Sequence, residues 1–492
     1  MANRCPSCGG TLHFDIQKQK LICEYCESEF DPASIKEMEG AGESEAYGSE
    51  SSDENGETID AKIFTCPNCG AEVFATDLDA VEYCSYCGTF VTLESRLAKL
   101  QKPSYILPFT VTKEKCLELY KEKLKKARFL PKDMQVENAQ SSLRNTYIPF
   151  WVYTEKFNEG AHASFNTKES WTSGNTEYTQ EYDIDVMPNG TIDGIFYDAS
   201  ATLDDRISEQ IGNFSQESLQ PYNSSLMAGS YADVADVKPE VYNEDVFLRG
   251  SVALGKQIKS NISNEDSLRS TFHHASSLRA VTTKQNAQDY AKLEPKLAML
   301  PVWFMTFKNK NRLCYAVING NTGKMFTEIP SDIKKYALAS LLLSIPIFCI
   351  FEFLFTLMPS TVMLATGIVS LILMICRLSA LKKLRKQENR EDDKGFQTIY
   401  SGDTEQASSA ETKSQAQKSK KKFDFIILFS IASILGTAYM IISKMPNDIL
   451  YYAVSFVSIL ATFLSVASMV KAHNLSCSRP IPHFFDKKGA AQ

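Results

Sequence analysis

The cysteines of this chain are the residues whose type and spacing most clearly point to chemistry. Eight of the thirteen form four C-x-x-C pairs within the first 87 residues, and the first two pairs recur 61 residues later. In both copies, fourteen residues separate one pair from the next. The eight cysteines are Cys5, Cys8, Cys23, Cys26, Cys66, Cys69, Cys84 and Cys87. A repeat with matched spacing predicts two copies of one metal-binding unit.

Zinc is the metal that this pattern favours, because Zn²⁺ prefers four soft ligands in a tetrahedron at about 2.3 Å. Each C-x-x-C turn places two sulfurs on one side of the ion, and a short hairpin brings the second turn opposite. We name the two predicted zinc ribbons ribbon 1 (1–32) and ribbon 2 (63–98). Both ions should be structural, since four cysteine ligands leave no position for a reacting water. The alternative is a set of unmetallated or disulfide-bonded cysteines.

The residue after each C-x-x-C pair bears on the local backbone. Glycine stands there in three cases, as Gly9, Gly70 and Gly88, whereas Glu27 follows Cys26. Glycine adopts positive φ at low cost, so we expect a tight turn at these positions. Neither ribbon can bury enough apolar surface to fold unaided, and metal binding should therefore supply much of its folding free energy.

The charge of the first 100 residues bears on what the ribbons can bind. This segment holds seven Lys/Arg and nineteen Asp/Glu. Nucleic-acid binding requires cations that displace counterions from phosphates, so the charge favours protein recognition over DNA or RNA. No apolar segment follows Met1, and we therefore expect reduced thiols in the cytoplasm rather than disulfides in a secreted domain.

A middle region of mixed pattern follows the ribbons and predicts an α+β domain. Residues 113–128 have the apolar spacing of an amphipathic helix. Strand patterns follow at 145–153, 177–187, 193–198, 300–307 and 313–319. Proline and aromatic residues recur at the expected strand starts, as in Ile148-Pro149-Phe150-Trp151 and Leu300-Pro301-Val302-Trp303. We expect these motifs to serve packing rather than a ligand groove.

Several residues of the middle region imitate catalytic motifs. Gly250-x4-Gly255-Lys256 resembles a phosphate-binding loop, but Gln257 replaces the residue that binds Mg²⁺ and no clean apolar strand precedes the motif. His273-His274 lack companion ligands, His162 stands alone, and Cys314 has no histidine close by in the sequence. We therefore predict no catalytic residue, no cofactor besides the two zinc ions and no small-molecule substrate; the chain is not expected to be an enzyme.

Four apolar segments near the C-terminus predict membrane-spanning helices, since about 20 apolar residues cross the hydrocarbon layer. They are 336–358, 361–376, 425–443 and 449–470. A short turn joins each pair, so two helical hairpins are expected rather than buried core helices. Lys and Arg flank the helix ends on one side, which predicts a multi-pass protein of the cell membrane with both termini in the cytoplasm.

The chain is therefore predicted to be multidomain, with two small four-cysteine zinc ribbons (β), an α+β middle domain and four C-terminal transmembrane α-helices in two hairpins. In chain order the units are ribbon 1 (1–32), an acidic disordered linker (33–62), ribbon 2 (63–98), the α+β domain (99–332), a first membrane hairpin (333–377), a basic polar cytoplasmic loop (378–424), a second membrane hairpin (425–471) and a cytoplasmic tail (472–492). The basic ends of the loop either hold anionic lipid headgroups or only set the topology.

The chain resembles the YdjG-like family of bacterial membrane-anchored TFIIB-type zinc-ribbon proteins. The shared features are the paired C-P-x-C-G motifs, Ile148-Pro149-Phe150-Trp151, Leu300-Pro301-Val302-Trp303, Asn319-Gly320-Asn321-Thr322-Gly323-Lys324 and the trailing apolar segments. The resemblance covers about residues 1–335 and part of the membrane region. It implies a membrane adaptor associated with PspA-like or SPFH-type envelope-stress proteins, and it implies no catalytic residues.

These features favour a membrane-anchored scaffold whose ribbons and middle domain dock cytoplasmic proteins at the membrane. Two other hypotheses stay open at this point. One is a regulator that contacts nucleic acid or RNA polymerase through the ribbons. The other is a transporter or enzyme component with a site near Glu352, since an acid within a membrane segment is a functional candidate.

Overall fold

A computed structural model describes most of the chain. The described residues are 4–35, 58–75, 84–89, 94–134, 142–157, 163–186, 190–212, 214–264, 293–309, 311–354, 359–400, 428, 430–442, 448–485 and 487. Most of the predicted acidic linker, residues 401–424 of the predicted basic loop, His162 and His273-His274 lie outside the described residues.

Strands make up most of the described middle region. The strands are β1 (Leu12–Asp15), β2 (Lys20–Cys23), β3 (Glu29–Phe30), β4 (Thr58–Thr65), β5 (Glu72–Ala75), β6 (Glu94–Gln101), β7 (Tyr105–Ile106), β8 (Leu143–Phe157), β9 (Ala163–Ser173), β10 (Thr176–Val186), β11 (Gly190–Asp198), β12 (Gln220–Pro221), β13 (Tyr231–Asp233), β14 (Lys296–Asn309), β15 (Arg312–Asn319), β16 (Met325–Thr327) and β17 (Arg479–Pro480). The five strand patterns seen in the sequence coincide with β8, β10, β11, β14 and β15.

Helices flank the strands and dominate the C-terminal part. They are α1 (Lys113–Lys126), α2 (Asp205–Ile211), α3 (Asn243–Asn264), α4 (Ile333–Leu354), α5 (Pro359–Glu388), α6 (Lys394–Tyr400), α7 (Ser430–Ile442) and α8 (Asp448–Ser476). The predicted amphipathic helix is α1. Helices α2 and α3 were not expected from the sequence.

The strands form one large sheet and two small ones. The large sheet has twelve strands in the order β12-β7-β14-β8-β13-β5-β4-β6, with β11 on β8, and with β15 leading from β14 to β16 and β17. Its pairs are antiparallel except β13 with β8 and β14 with β7. Strands β1 to β3 form a small antiparallel sheet in ribbon 1, and β9 and β10 form a two-stranded hairpin. We call the large sheet and the helices packed on it the body.

The two proline motifs lie inside the central strands of the body rather than at strand starts, which corrects the expectation from sequence. Pro149 lies in β8, between the residues that pair with β13 and those that pair with β11. Pro301 lies in β14, between the residues that pair with β7 and those that pair with β15. Each proline occupies the gap where its strand changes neighbour, and there a missing N–H breaks no ladder bond.

Apolar side chains cover both faces of the large sheet. Buried residues of β15 alternate between two core clusters, with Leu313, Tyr315 and Val317 in one and Cys314, Ala316 and Ile318 in the other. This is the two-residue period of a strand that is buried on both faces. Phe150, Trp151 and Trp303 are also buried, so the proline–aromatic motifs serve the core as expected.

Ribbon 2 belongs to the large sheet, which differs from the separate domain expected at 63–98. Its strands β4, β5 and β6 pair with one another, and β5 pairs with β13 from the middle region. Strand β4 begins at Thr58, within the predicted linker, and β6 ends at Gln101. Strand β13 thereby covers an edge of ribbon 2 that would otherwise present unpaired backbone groups.

Ribbon 1 keeps its own small sheet and meets the body at a few points. The Phe14 amide donates a hydrogen bond to the Ala228 carbonyl oxygen at 3.1 Å. The Gln19 side chain donates to the Phe109 carbonyl oxygen at 2.8 Å, and the Asn223 side chain donates to the Pro32 carbonyl oxygen at 2.8 Å. Ribbon 1 is therefore a peripheral unit of this structure.

Four apolar helices follow the body, and two of them are long and apolar enough to cross a membrane. The two candidate spans are Ser360–Glu388 in α5 and Ile449–Ser476 in α8. Helix α7 is a shorter apolar helix, and α4, with 22 residues, overlaps the first predicted span (336–358) as far as Leu354. Length and composition thus support two spans, while the four-span topology and the side on which each terminus lies stay predictions.

Hydroxyl-bearing residues join the helices α5, α7 and α8. The Ser370 Oγ lies 2.8 Å from the Ser430 Oγ and 2.6 Å from the Ser465 Oγ. The Thr366 Oγ1 lies 2.7 Å from the Ser458 Oγ. Interhelical hydroxyl contacts and small side chains are typical of helices that associate within hydrocarbon. The packing of these helices is therefore compatible with a membrane environment.

The described segments after the apolar helices contact the body, at positions where the sequence predicts a basic polar loop (378–424) and a C-terminal tail (472–492). Helix α5 continues to Glu388, and α6 brings Phe396 and Tyr400 into the core. Strand β17 pairs with β15, and Phe484 is buried in the same core. These segments escaped prediction because each contributes only one or two large apolar residues among charged neighbours.

Candidate metal centres

The backbone turns in the same way at all four C-x-x-C pairs. The residue after each pair has positive φ, at 75° for Gly9, 57° for Glu27, 78° for Gly70 and 65° for Gly88. Its amide donates to the carbonyl oxygen of the first cysteine at 2.8 to 3.0 Å. The tight turn expected from glycine is confirmed. Glu27 adopts it too, although the left-handed conformation costs a residue with a Cβ about 1–2 kcal/mol.

The cysteine sulfurs converge in two clusters. In cluster 1, the Cys5 and Cys26 Sγ atoms are 3.5 Å apart and those of Cys8 and Cys23 are 3.4 Å apart. In cluster 2, the pairs Cys66–Cys87 and Cys69–Cys84 are each 3.7 Å apart. All four sulfurs of each cluster lie within 4.8 Å of one another.

These distances fit a four-coordinate metal ion. Four ligands at about 2.3 Å from a tetrahedral ion are separated from one another by about 3.8 Å. Free thiols have no reason to converge in fours, because each would pack as a small apolar group. Each group of four cysteines is thus able to hold one metal ion, as the repeat predicted.

Neighbouring side chains lower the pKa of Cys26 in cluster 1 and of Cys66 and Cys87 in cluster 2, which favours the thiolate, the form that binds a metal. A hydrogen bond with Ser28 lowers the pKa of Cys26 to about 6. In cluster 2, a hydrogen bond with Cys69 lowers the pKa of Cys66 to about 7.

The two clusters differ in exposure. Cys8 and Cys26 of cluster 1 are exposed, whereas all four cysteines of cluster 2 are buried. The contrast extends to the tyrosine that precedes the last cysteine of each ribbon. The Tyr25 side chain is 77% exposed, and Tyr86, its counterpart 61 residues later, is 2% exposed. Cluster 1 thus presents an aromatic ring and two ligand residues to the surroundings.

Tyr86 ties cluster 2 to the body. Its hydroxyl donates to the Asp233 carboxylate on β13 at 2.5 Å, and burial raises the pKa of Asp233 to about 6. Ser200 and Thr202 also donate to this carboxylate. The Tyr315 hydroxyl on β15 donates to the Tyr86 carbonyl oxygen at 2.5 Å. A buried carboxylate needs such partners, so the loop that bears Cys84 and Cys87 is held from several elements of the body.

The C-terminal segment covers the other side of cluster 2. The Phe484 amide donates to the Cys69 carbonyl oxygen at 2.6 Å, and the Phe484 ring lies 6.1 Å from the Tyr86 ring. The Lys487 ammonium is 2.8 Å from the Glu72 carboxylate. A Cβ on Gly70 would lie 2.8 Å from the backbone of Phe484 and Phe485, so this approach requires glycine.

The other sequence motifs do not form a second centre among the described residues. Gly250 and Gly255 lie within helix α3, so they cannot form a phosphate-binding loop between a strand and a helix. Cys314 is buried in β15, as expected for a packing role, and burial raises the pKa of its thiol to about 12. The side chain of Glu352 lies outside the described residues.

Sequence reasoning missed a network of buried charges that holds the C-terminal segments on the body. Arg479 contacts Glu328 at 2.6 Å and Asp204 at 3.1 Å. Arg390 contacts Asp393 at 2.5 Å and donates to the Leu203 carbonyl oxygen. Arg479 lies far along the chain from both of its partners, and Arg390 lies 187 residues from Leu203. A lone charged residue carries no signal of which distant residue it will meet.

Comparison with known proteins finds a distant relative. The chain is 24% identical over 336 residues to YdjG of Bacillus subtilis (strain 168), whose description is uncharacterized protein. The alignment covers 68% of this chain and 91% of YdjG. No protein-family model and no solved structure matches the chain. This likeness agrees with the YdjG part of the expected resemblance, and the TFIIB-type designation stays a prediction.

Proposed function

We propose that the chain is a membrane-anchored adaptor that holds two structural zinc ions and docks cytoplasmic proteins at the membrane through ribbon 1. Zinc is the metal of choice, because four thiolates in a closed tetrahedron are typical of structural zinc sites. In this proposal neither metal takes part in a reaction. The envelope-stress role implied by the family resemblance stays a prediction.

The exposure of Tyr25 beside cluster 1 is the observation that carries this proposal. An aromatic ring that is 77% exposed on a metal-stiffened turn adds nothing to the core of ribbon 1. Exposed tyrosines are frequent anchors at protein interfaces, because they supply contact area at little cost in conformational entropy. Ribbon 2 cannot serve in the same way, since the body and Phe484 cover its cluster.

Membrane attachment rests on the C-terminal helices. The helices α5 and α8 are apolar over lengths that suit a bilayer, and they meet α7 through hydroxyl and small side chains. Helix α4 exposes a run of large aliphatic side chains, and exposure of so large an apolar patch to water would be unfavourable. The four-span hairpin topology, with both termini in the cytoplasm, is part of the proposal.

The test is a crosslinking pull-down from cells that express the tagged full-length chain, as wild type or as Tyr25→Ala. We expect Tyr25→Ala to lose specific partners at least tenfold while it stays folded, because loss of an interface anchor costs about 2 kcal/mol or more. Tyr178→Ala is the matched control, because Tyr178 is an exposed tyrosine on the β9–β10 hairpin. A second variant, Cys8→Ser, removes one ligand of cluster 1 and should also lose the partners. Partners that still co-purify with both variants would contradict docking through ribbon 1.

A further inference from the structure

A cluster of exposed cations lies where the body meets the first apolar helix. It comprises the end of α1, the turn after it and the start of α4, and its members are Lys121, Lys123, Lys125, Lys126, Arg128, Lys132, Lys334 and Lys335. All eight side chains are exposed. The same segments hold three acids, Glu122, Asp133 and Asp332. We call this set the α1 basic surface.

Helix α1 is amphipathic, and its buried face fixes which side carries the cations. Cys116, Tyr120 and Leu124 are buried at intervals of four residues, and the Tyr120 ring stacks on Phe307 at 5.7 Å. The Thr112 side chain caps the helix by accepting from the Lys115 amide. The lysines of the last turn also suit the helix dipole, which by itself would account for two or three of them.

The turn after α1 is fastened to the first turn of α4. The Asp332 amide donates to the Phe129 carbonyl oxygen at 2.6 Å, and the Lys335 ammonium donates to the Leu130 carbonyl oxygen at 2.7 Å. The Phe129 ring meets the Tyr336 ring edge-on at 5.3 Å. Phe129 has a φ of 61°, which turns the chain towards α4. The cations of α1 and of α4 therefore form one continuous surface.

The position of this surface decides its partner. The headgroup layer extends about 5–7 Å beyond the hydrocarbon on each side of a bilayer. Tyr336 lies at the start of the apolar helix, where aromatic residues favour the membrane interface. Residues that touch Tyr336 therefore lie at headgroup depth when α4 enters the bilayer. Phosphate groups of anionic lipids at that depth would meet cations from two elements at once.

We propose that the α1 basic surface binds anionic phospholipid headgroups and thereby fixes the orientation of the body on the bilayer. This inference rests on the proposed membrane anchoring. It differs from topology setting by Lys334 and Lys335 alone, because six of the eight cations come from α1 and the turn after it, more than 200 residues earlier in the chain. An electrostatic surface of this kind weakens at high salt.

The test compares full-length protein in nanodiscs of phosphatidylcholine with the same protein in nanodiscs that contain equal parts of phosphatidylglycerol. Hydrogen exchange at residues 127–132 is the readout. We expect the anionic discs to slow exchange there, with an attraction worth about fivefold for each cation near the surface. The slowing should vanish in 0.5 M salt and in Lys125→Gln/Arg128→Gln/Lys132→Gln.

The matched control is Lys99→Gln/Lys238→Gln/Lys256→Gln, which removes the same charge from exposed positions of other elements and should keep the lipid effect. Incorporation into nanodiscs with equal exchange in both lipids would overturn the inference and leave the membrane anchor intact. Failure to incorporate would overturn the anchor and the inference together. Slowing by added single-stranded RNA in neutral discs, without any lipid effect, would reassign the surface to nucleic acid.

Discussion

Ribbon 1 and ribbon 2 share one cysteine pattern and occupy opposite environments. The same four-cysteine spacing forms a peripheral unit in one case and part of the twelve-stranded sheet in the other. Tyr25 and Tyr86 stand at equivalent positions, yet one is exposed and the other is buried against Asp233. A motif therefore fixes the arrangement of the four sulfurs, and the residues around it decide whether that cluster is buried in the fold or lies at its surface.

The contrast between Tyr25 and Tyr86 follows from how the rest of the chain covers the two clusters. Burial of cluster 2 requires partners from three distant parts of the chain, namely β13, β15 and the segment at Phe484. No comparable cover exists over cluster 1 among the described residues. Cluster 1 is therefore the more exposed of the two clusters.

Substitution of the cysteine ligands should give the largest difference in stability between the two ribbons. Cys66→Ser/Cys69→Ser should unfold the body, because structural zinc contributes about 10–16 kcal/mol in small zinc domains. This contribution is comparable to the whole free energy of unfolding of a typical domain, about 5–15 kcal/mol. Cys5→Ser/Cys8→Ser should unfold ribbon 1 alone. Near-ultraviolet circular dichroism of the full-length chain in detergent measures both, and equal losses in the two variants would contradict the assignment.

Truncation of the equivalent tyrosines should give the next largest difference. Tyr86→Ala removes a fully buried ring and leaves Asp233 short of a partner, at a cost of about 3–5 kcal/mol. Tyr25→Ala should change the free energy of unfolding by less than about 0.5 kcal/mol, as expected for an exposed position. Denaturant titrations of the two variants provide the measurement. A large loss with Tyr25→Ala would mean that ribbon 1 is packed more tightly than its exposure indicates.

Removal of Arg479 tests whether the C-terminal segment supports the side of the body that contains cluster 2. Arg479 pairs with Glu328 and Asp204 and lies over the Tyr315 ring. Arg479→Ala should cost about 3–5 kcal/mol, because it leaves the partly buried Glu328 carboxylate without its cation and the Asp204 carboxylate with Arg206 alone. Arg249→Ala is the control, since the exposed Arg249–Glu209 pair should contribute less than about 1 kcal/mol. Similar losses in both variants would argue against this support.

The smallest expected effect is the pH dependence of the free energy of unfolding, which should arise in the body and not in ribbon 1. Glu155 on β8 is 5% exposed, and its Oε2 has no hydrogen-bond partner among the described residues. Burial raises the pKa of Glu155 to about 7. Between the unfolded-state pKa, about 4.3, and 7, the folded state keeps a proton that the unfolded state has lost. The free energy of unfolding should therefore fall as pH rises through this window.

Glu155→Gln should reduce that dependence, although Asp233 contributes with the same sign, and should raise the stability of the body at pH 8 by about 1–3 kcal/mol. Denaturant titrations at pH 5.5 and 8 measure the difference. Metal release from cluster 1 should be the same in wild type and variant. A Gln variant that keeps the pH dependence of the wild type would show that Glu155 does not cause it.

The features predictable from the sequence were local ones. Ligand spacing specified both sulfur clusters, the glycines after the cysteine pairs specified the turn, and periodicity located α1 and the long strands of the body. The proline motifs were correctly assigned to packing. Their place was wrong, because a strand that changes neighbour at Pro149 cannot be recognised without knowledge of the neighbours.

The features that escaped prediction depend on pairing between distant segments. Strand β13 has three residues, too few for a periodic pattern, yet it joins ribbon 2 to β8. Arg479 meets Asp204, 275 residues earlier in the chain. The burial of cluster 2 follows from such pairings, so the sequence alone presented the two ribbons as equals.

The most direct test is the release of zinc from the purified full-length chain by a chromogenic chelator, followed together with circular dichroism. Two zinc ions per chain are predicted. One should leave rapidly while the fold of the body persists, and the second should leave only as the body unfolds. A chain without zinc, or two ions that leave at one rate, would contradict the division of roles between the two ribbons.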